Sequence, residues 1–182
     1  MMLPGRVTSA PPGLHGIDTS GVLNEEHCRV AKSRGFSFCI RYVSRTAGQS
    51  ASDLSEAEAR TILSAGLALM PVQHVAREGW SPTKQLGTTF GKNAAAHVFH
   101  IGFPQGVNVW LDLEGIKPSS SHGVVIDYCN GLRRWLRQGS LPASMSARRR
   151  FLLEKRFSGV FRPNIFGDLE ARFRTYRTEA TS

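Results

Sequence analysis

Asn108-Val109-Trp110-Leu111-Asp112-Leu113-Glu114-Gly115 is the run from which the rest of the chain takes its order. Bulky and β-branched apolar residues that end in two acids and a glycine predict a buried strand. Residues two apart on a strand share a face. Asp112 and Glu114 are therefore expected to project together from its C-terminal end. Two readings of the pair stand open: a reactive site, or a solvated strand end whose acids cap the next turn.

Upstream of this run, strands and helices alternate. Gly16-Ile17-Asp18-Thr19-Ser20 is a short strand ending in a carboxylate and two hydroxyls. Glu25 to Ser33 predicts a helix, with Asn24 as its cap and Gly35 as its stop. Phe36 to Val43 is a second strand, rich in aromatic and β-branched residues. Ser55 and Glu58 form a capping-box pattern that opens a second helix. Ala59, Ile62 and Leu63 give this helix its apolar face, and Gly66 ends it. Leu67 to Val75 is a third strand. Gly87 to His100 is a third helix, with a small-residue face at Ala94, Ala95 and Ala96 suited to close packing on a sheet. After the opening run, Gly123 to Asn130 starts a fourth helix.

This βα alternation over residues 16–130 implies a parallel sheet with right-handed crossovers. Both a doubly wound sheet and part of an eight-stranded barrel fit the pattern. Gly87-Thr88-Thr89-Phe90-Gly91 has neither the Lys-Ser/Thr of a phosphate loop nor the spacing of a dinucleotide fingerprint, which disfavours nucleotide binding.

The polar strand residues all fall at one edge. Asp18 ends strand one, Arg41 and Tyr42 lie late in strand two, Gln73 and His74 end strand three, and Asp112 and Glu114 end strand four. In a parallel α/β barrel that edge carries the active site. Glycoside hydrolysis needs two carboxyl groups, one protonated and one ionised. A second acid nearby, together with burial, raises a carboxyl's pKa. Glu114, beside Asp112 and facing Asp18, is the candidate for the raised one. Arg41 is read as a partner for these acids. Trp80, in the loop after strand three, offers either a sugar-stacking platform or simple packing. Arg41, Tyr42, Gln73, His74 and Trp80 are thus the candidate substrate-binding residues.

These segments carry a family resemblance. Gly-Ile-Asp-Thr-Ser at 16–20, Val-Gln-His-Val at 72–75, Val-Trp-Leu-Asp-Leu-Glu-Gly at 109–115 and Tyr-Cys-Asn-Gly at 128–131 resemble the bacterial glycoside-hydrolase-like barrel domain long catalogued as a domain of unknown function. That domain is similar in layout to the family-25 lysozymes. The resemblance covers about residues 14–131. It implies a TIM-type barrel whose acids line a sugar cleft, with Asp18, Asp112 and Glu114 in the catalytic positions. Glu114 would be the proton donor, and Asp112 and Asp18 would supply base or electrostatic support. The implied partner is a polysaccharide, such as cell-wall glycan. No cofactor or metal is expected.

Composition sets the remaining bounds. The chain has 182 residues and a formal net charge of +9. Residues 1–131 hold 11 Lys and Arg against 10 Asp and Glu, whereas residues 132–182 hold 12 against 4. The basicity therefore belongs to the tail, and nucleic-acid binding by the remainder is disfavoured. No apolar run is long enough to span a membrane. Residues 1–13 read as a flexible leader without an apolar signal region. The three cysteines have no metal-ligand spacing and read as reduced thiols. Nothing in the sequence fixes oligomeric state or localisation.

The tail breaks the βα pattern, and Arg148-Arg149-Arg150 falls where a fifth strand is due. An arginine excess is what a GC-rich gene yields when read out of frame. Codons for Leu141 to Ala147, read one frame over, allow the string SGIYVGA, a strand with a small-residue turn, and acceptable strings continue to Thr181. The expectation is a half-barrel of four βα units over 14–131, then an out-of-frame basic tail over 132–182. The frame change would fall between Gly131 and Gly139. A half-barrel of this kind exposes one strand edge and an apolar inner face, and is expected to aggregate.

Overall fold

The computed structural model describes residues 1–138 and 174–177. Its strands are β1 (Arg6–Ser9), β2 (Gly16–Thr19), β3 (Phe38–Val43), β4 (Ala68–Gln73), β5 (Trp110–Leu111) and β6 (Arg174–Arg177), and its helices α1 (Glu25–Ser33), α2 (Glu56–Ser64), α3 (Lys84–Ile101) and α4 (His122–Gln138). The expected alternation is present from β2 to α4. β2, β3, β4 and β5 pair in parallel and in chain order, with Asp18 opposite Ile40, Ile40 opposite Met70, and Gln73 opposite Leu111.

The sheet is nevertheless open, so a closed TIM-type barrel is not what the described residues form. β6 runs antiparallel to β1 and touches β4 at Leu69, giving the order β1-β6-β4-β3-β2, with β5 also on β4. The outer edge of β4 is thus divided between two partners. β6 lies at its N-terminal end, and β5 lies at Val72 and Gln73. Pro71 sits between them. The N–H groups of Ala68 and His74 go to β3, bonding Ser37 O and Val43 O at 3.0 Å each. Odd-numbered residues of β4 consequently address the other edge. A proline there lacks its donor just where neither neighbour needs one.

Every residue of β4 is buried, as a central strand covered on both faces requires. The strand β5 is far shorter than the eight-residue run suggests, because only Trp110 and Leu111 reach a partner. The main core, Cys39, Val43, Leu54, Ile62, Leu63, Leu69 and Ala94 among others, lies under the helices. Asn24 caps α1 by accepting from His27 N at 2.8 Å, and Gly35 follows at φ 85°, as the sequence predicts. Cys28, Cys39 and Cys129 are free thiols. Burial raises the Cys39 thiol to about 12, which keeps it unreactive.

Helix α3 meets α4 through a glycine seam; of the small-residue face expected to pack on the sheet, Ala94 and Ala95 are buried and Ala96 is exposed. A Cβ on Gly87 would lie 2.0 Å from Tyr128 O, one on Gly91 2.6 Å from Leu132 O, and one on Gly131 2.6 Å from Lys84 O. The two backbones touch. α4 also runs to Gln138, beyond the residues foreseen for it and into the expected tail. Its Leu132 is fully buried. The proposed strand at 141–147 and the tail from 139 to 173 lie outside the described residues.

Residues 1–13 are not the free leader expected. Leu3 is 3% exposed, its N–H bonds Gly102 O at 2.8 Å, and β1 joins the sheet through β6. Gly102 ends α3 at φ 96°, where a Cβ would strike Met1 O at 2.3 Å. Among the described residues no helix is long and apolar enough to cross a membrane.

Candidate functional site

Burial alternates along β3: Cys39, Arg41 and Val43 are buried, while Phe38, Ile40 and Tyr42 are half-buried. Neighbours on a strand point to opposite faces. Arg41 and Tyr42 are therefore separated by the sheet itself.

Arg41 turns to the helix side and is fully buried. Its Nε donates to Glu58 Oε1 at 2.7 Å and its Nη2 to Glu58 Oε2 at 3.1 Å. Nη1 bonds Thr19 O at 2.7 Å, and Nη2 bonds Ser52 O at 2.9 Å. The expectation that Arg41 partners the site acids or touches substrate by direct contact is corrected by this geometry, although its charge still reaches Asp18. Glu58 is corrected too. Ser55 Oγ does accept from Glu58 N at 3.1 Å, but the Glu58 carboxylate leaves the cap for Arg41 and the Leu23 N–H.

Tyr42 turns to the opposite face. Its hydroxyl donates to Asp18 Oδ2 at 3.4 Å, and its ring lies 4.8 Å from that of His74, tilted by 45°. His74 Nδ1 is buried without a hydrogen-bond partner among the described residues. Burial pushes the Asp18 carboxyl above its ordinary value; the Tyr42 hydrogen bond opposes that rise, the charge of Asp112 adds to it, and the charge of Arg41 opposes it more weakly. The Tyr42 hydroxyl is pushed up to about 12, first by burial and then by the charges of Asp18, Asp112 and Glu114. Asp18 hydrogen-bonds this phenol, and the charges of Asp112 and Glu114 reach it from the end of β5.

Asp112 and Glu114 do not project as a strand pair, because β5 stops at Leu111. Asp112 N still reaches Gln73 O at 3.3 Å, but the Asp112 side chain folds forward and accepts from Glu114 N at 3.0 Å. This is a local turn of the kind aspartate favours. Glu114 is exposed at the rim. The carboxyl that its surroundings hold up is that of Asp18.

Gln73 and Trp80 support the site from beneath. Gln73 is 1% exposed, accepts from the Tyr128 hydroxyl at 3.0 Å and donates to His74 O. Trp80 is buried, with its Nε1 on Glu114 O at 3.0 Å and its ring edge-on to Tyr128 at 5.0 Å. Its role is to pin the acid-bearing turn rather than to present a free ring face. Tyr128 was visible only as part of the 128–131 motif, with no role attached. Its hydroxyl is raised chiefly by burial, so it remains a neutral donor to Gln73. Among the described residues no group of three or more His, Cys, Asp or Glu could hold a metal ion.

Comparison with known proteins adds the following. The family model described as "Rv2525c-like, glycoside hydrolase-like domain" matches residues 29–164. Three solved structures share the fold. Two are of the Mycobacterium tuberculosis Tat-secreted protein Rv2525c. The one in complex with HEPES is 16% identical with a TM-score of 0.53, over 65% of this chain and 62% of that chain. The one in complex with L-tartrate is 18% identical with a TM-score of 0.51, over 64% and 60%. The third, an uncharacterized B. stearothermophilus protein, is 17% identical with a TM-score of 0.53, over 67% and 56%. The chain thus spans less than two thirds of each of these chains. No curated protein matches it.

Proposed function

Because this chain belongs to the Rv2525c-like, glycoside hydrolase-like family, we propose that it acts on a polysaccharide, such as cell-wall glycan, by hydrolysing O-glycosidic bonds. One observation carries the reading: Asp18, hydrogen-bonded by Tyr42 and with its carboxyl raised chiefly by burial, sits at the C-terminal edge of a parallel sheet. Glycoside hydrolysis uses two carboxyl groups, one of them a proton donor, and burial around Asp18 shifts its carboxyl in the direction a donor needs. By resemblance Glu114 donates the proton, with Asp112 and Asp18 as base or electrostatic support. The burial of Asp18 favours exchanging those roles, with Asp18 as the donor. Tyr42 and His74 are then the groups that meet the sugar.

Reducing ends released from soluble polysaccharides and purified peptidoglycan test this. If Glu114 is the acid, Glu114→Gln lowers turnover by about 10²–10⁴-fold and leaves binding intact. If Asp18 is the acid, Asp18→Asn does so instead, and the high-pH limb of the rate profile disappears with it. Binding without turnover in the unmutated chain would mark a carbohydrate-binding module. That second reading draws support from the Asp112 carboxylate, one of whose oxygens is occupied in its own turn. A nucleic-acid role would rest on the arginine-rich residues 132–182 and would vanish with their deletion.

The out-of-frame tail and the kinship to family-25 lysozymes belong to this proposal as well. The arginine excess supports the frame change. The family match running to residue 164 weighs against one at 131–139. The coding nucleotide sequence decides between them.

A further inference from the structure

A depression of about 440 Å³ opens next to the acid-bearing turn, lined by Arg45, Arg77, Trp80, Ser81, Leu86 and Phe90. Asp18, Asp112 and Glu114 are not among its lining residues. It is nonetheless tied to their turn. Trp80 Nε1 bonds Glu114 O at 3.0 Å, Gly79 N bonds Gly115 O at 2.8 Å, and Lys117 N bonds Trp80 O at 2.8 Å.

Two arginines in one depression need a reason. Residues 1–131 carry nearly balanced charge, with 11 cationic residues against 10 acidic ones, so general basicity does not explain the pair. Arg45 is a positioned cation. Its Nη1 donates to Val75 O, its guanidinium lies over the Phe90 ring at 5.9 Å, and its carbonyl accepts from Asn93 Nδ2 at 2.9 Å. A guanidinium has five N–H donors, and one serves Val75, so most remain available. Arg77 is exposed and makes no hydrogen bond or ion pair among the described residues. Glu78, the acid next to it, is also exposed and packs along Gly115 instead of lining the depression. Two guanidinium groups lining one depression suit an anionic group, which both can meet with charge-assisted hydrogen bonds.

Resting on the glycan reading above, we propose that Arg45 and Arg77 form a subsite for an acidic substituent, a carboxylate or a phosphate, on the glycan. A neutral chain would offer no anion to Arg77 or to the remaining N–H groups of Arg45.

Calorimetric titration of the full chain with tetragalacturonate, a glycerol-phosphate oligomer and neutral cellotetraose tests this. At least one acidic oligomer is expected to bind about tenfold or more tighter than cellotetraose. Which one does so identifies the anion. The preference should fall with added salt. Arg77→Ala, at an exposed position, should erase most of it without changing the melting temperature. Arg45→Gln should do the same, with melting followed to separate loss of the fold from loss of the subsite. Equal affinity for acidic and neutral oligomers, an unaltered Arg77→Ala preference, or no binding of any oligomer overturns the proposal. Acidic binding that depends on Arg77 without any turnover sinks the hydrolase reading and leaves the subsite standing. Cleavage of neutral chains with no acidic preference does the reverse.

Discussion

The two faces of β3 put adjacent residues to opposite uses. On the helix side, Arg41 is completely enclosed, with Glu58, Thr19 O and Ser52 O all accepting from it. One residue on, Tyr42 faces a half-open group in which a long hydrogen bond, a raised carboxyl and an unpaired imidazole nitrogen coexist. The first arrangement is saturated and can only hold. The second retains unspent hydrogen-bonding capacity and charge that responds to pH, which a ligand can use. A cation's position near acids in sequence therefore says little until its face is known.

Breaking the saturated side should produce the largest effect. Glu58→Gln leaves a buried guanidinium without its countercharge and should cost about 3–5 kcal/mol, read as a shift of the urea midpoint. Glycan binding per folded molecule should not change; a selective loss of binding would mean that the two faces are not independent. Next in size is the helix seam. Gly91→Ala puts a Cβ 2.6 Å from Leu132 O and should cost about 1–3 kcal/mol, again by urea unfolding. A neutral outcome would mean that α4 can slide away from α3.

The smallest effect lies on the open side and appears only in pH dependence. Asp18 holds its proton more tightly when folded than when unfolded. Between its ordinary value and its raised one, the folded state binds more protons, so stability falls as pH rises through that window. Asp18→Asn should flatten the fall. Tyr42→Phe should deepen it, because the hydrogen bond it removes favours the ionised carboxylate. A stability profile unchanged in both variants would place Asp18 in open solvent.

Much of this was legible in the chain. Asn24, Gly35, Ser55 and Gly66 mark helix ends by local chemistry, and local chemistry is what a sequence displays directly. The period-2 pattern of Cys39, Arg41 and Val43 also carried the facing of Arg41, but its charge drew it toward the acids. Glu58 was misread for a similar reason: a capping box is a local pattern, and its carboxylate found a partner 17 residues away in sequence. The length of β5 and the openness of the sheet depend on which distant strand reaches β4, and no local pattern encodes that. Asp112, Glu114 and Asp18 stand out in the sequence because all are expected where strands end. The Arg45 depression went unseen because its lining comes from the loops after β3 and β4 and from α3.

Pro71 has a consequence for how the molecule meets others of its kind. Among the described residues the outer edge of β4 is only partly occupied, and half-filled edges are where chains recruit one another into extended sheets. A stray strand docking there would find one rung permanently missing, at the centre of the ladder. The proline that lets two short neighbours share an edge also makes that edge a poor template for aggregation.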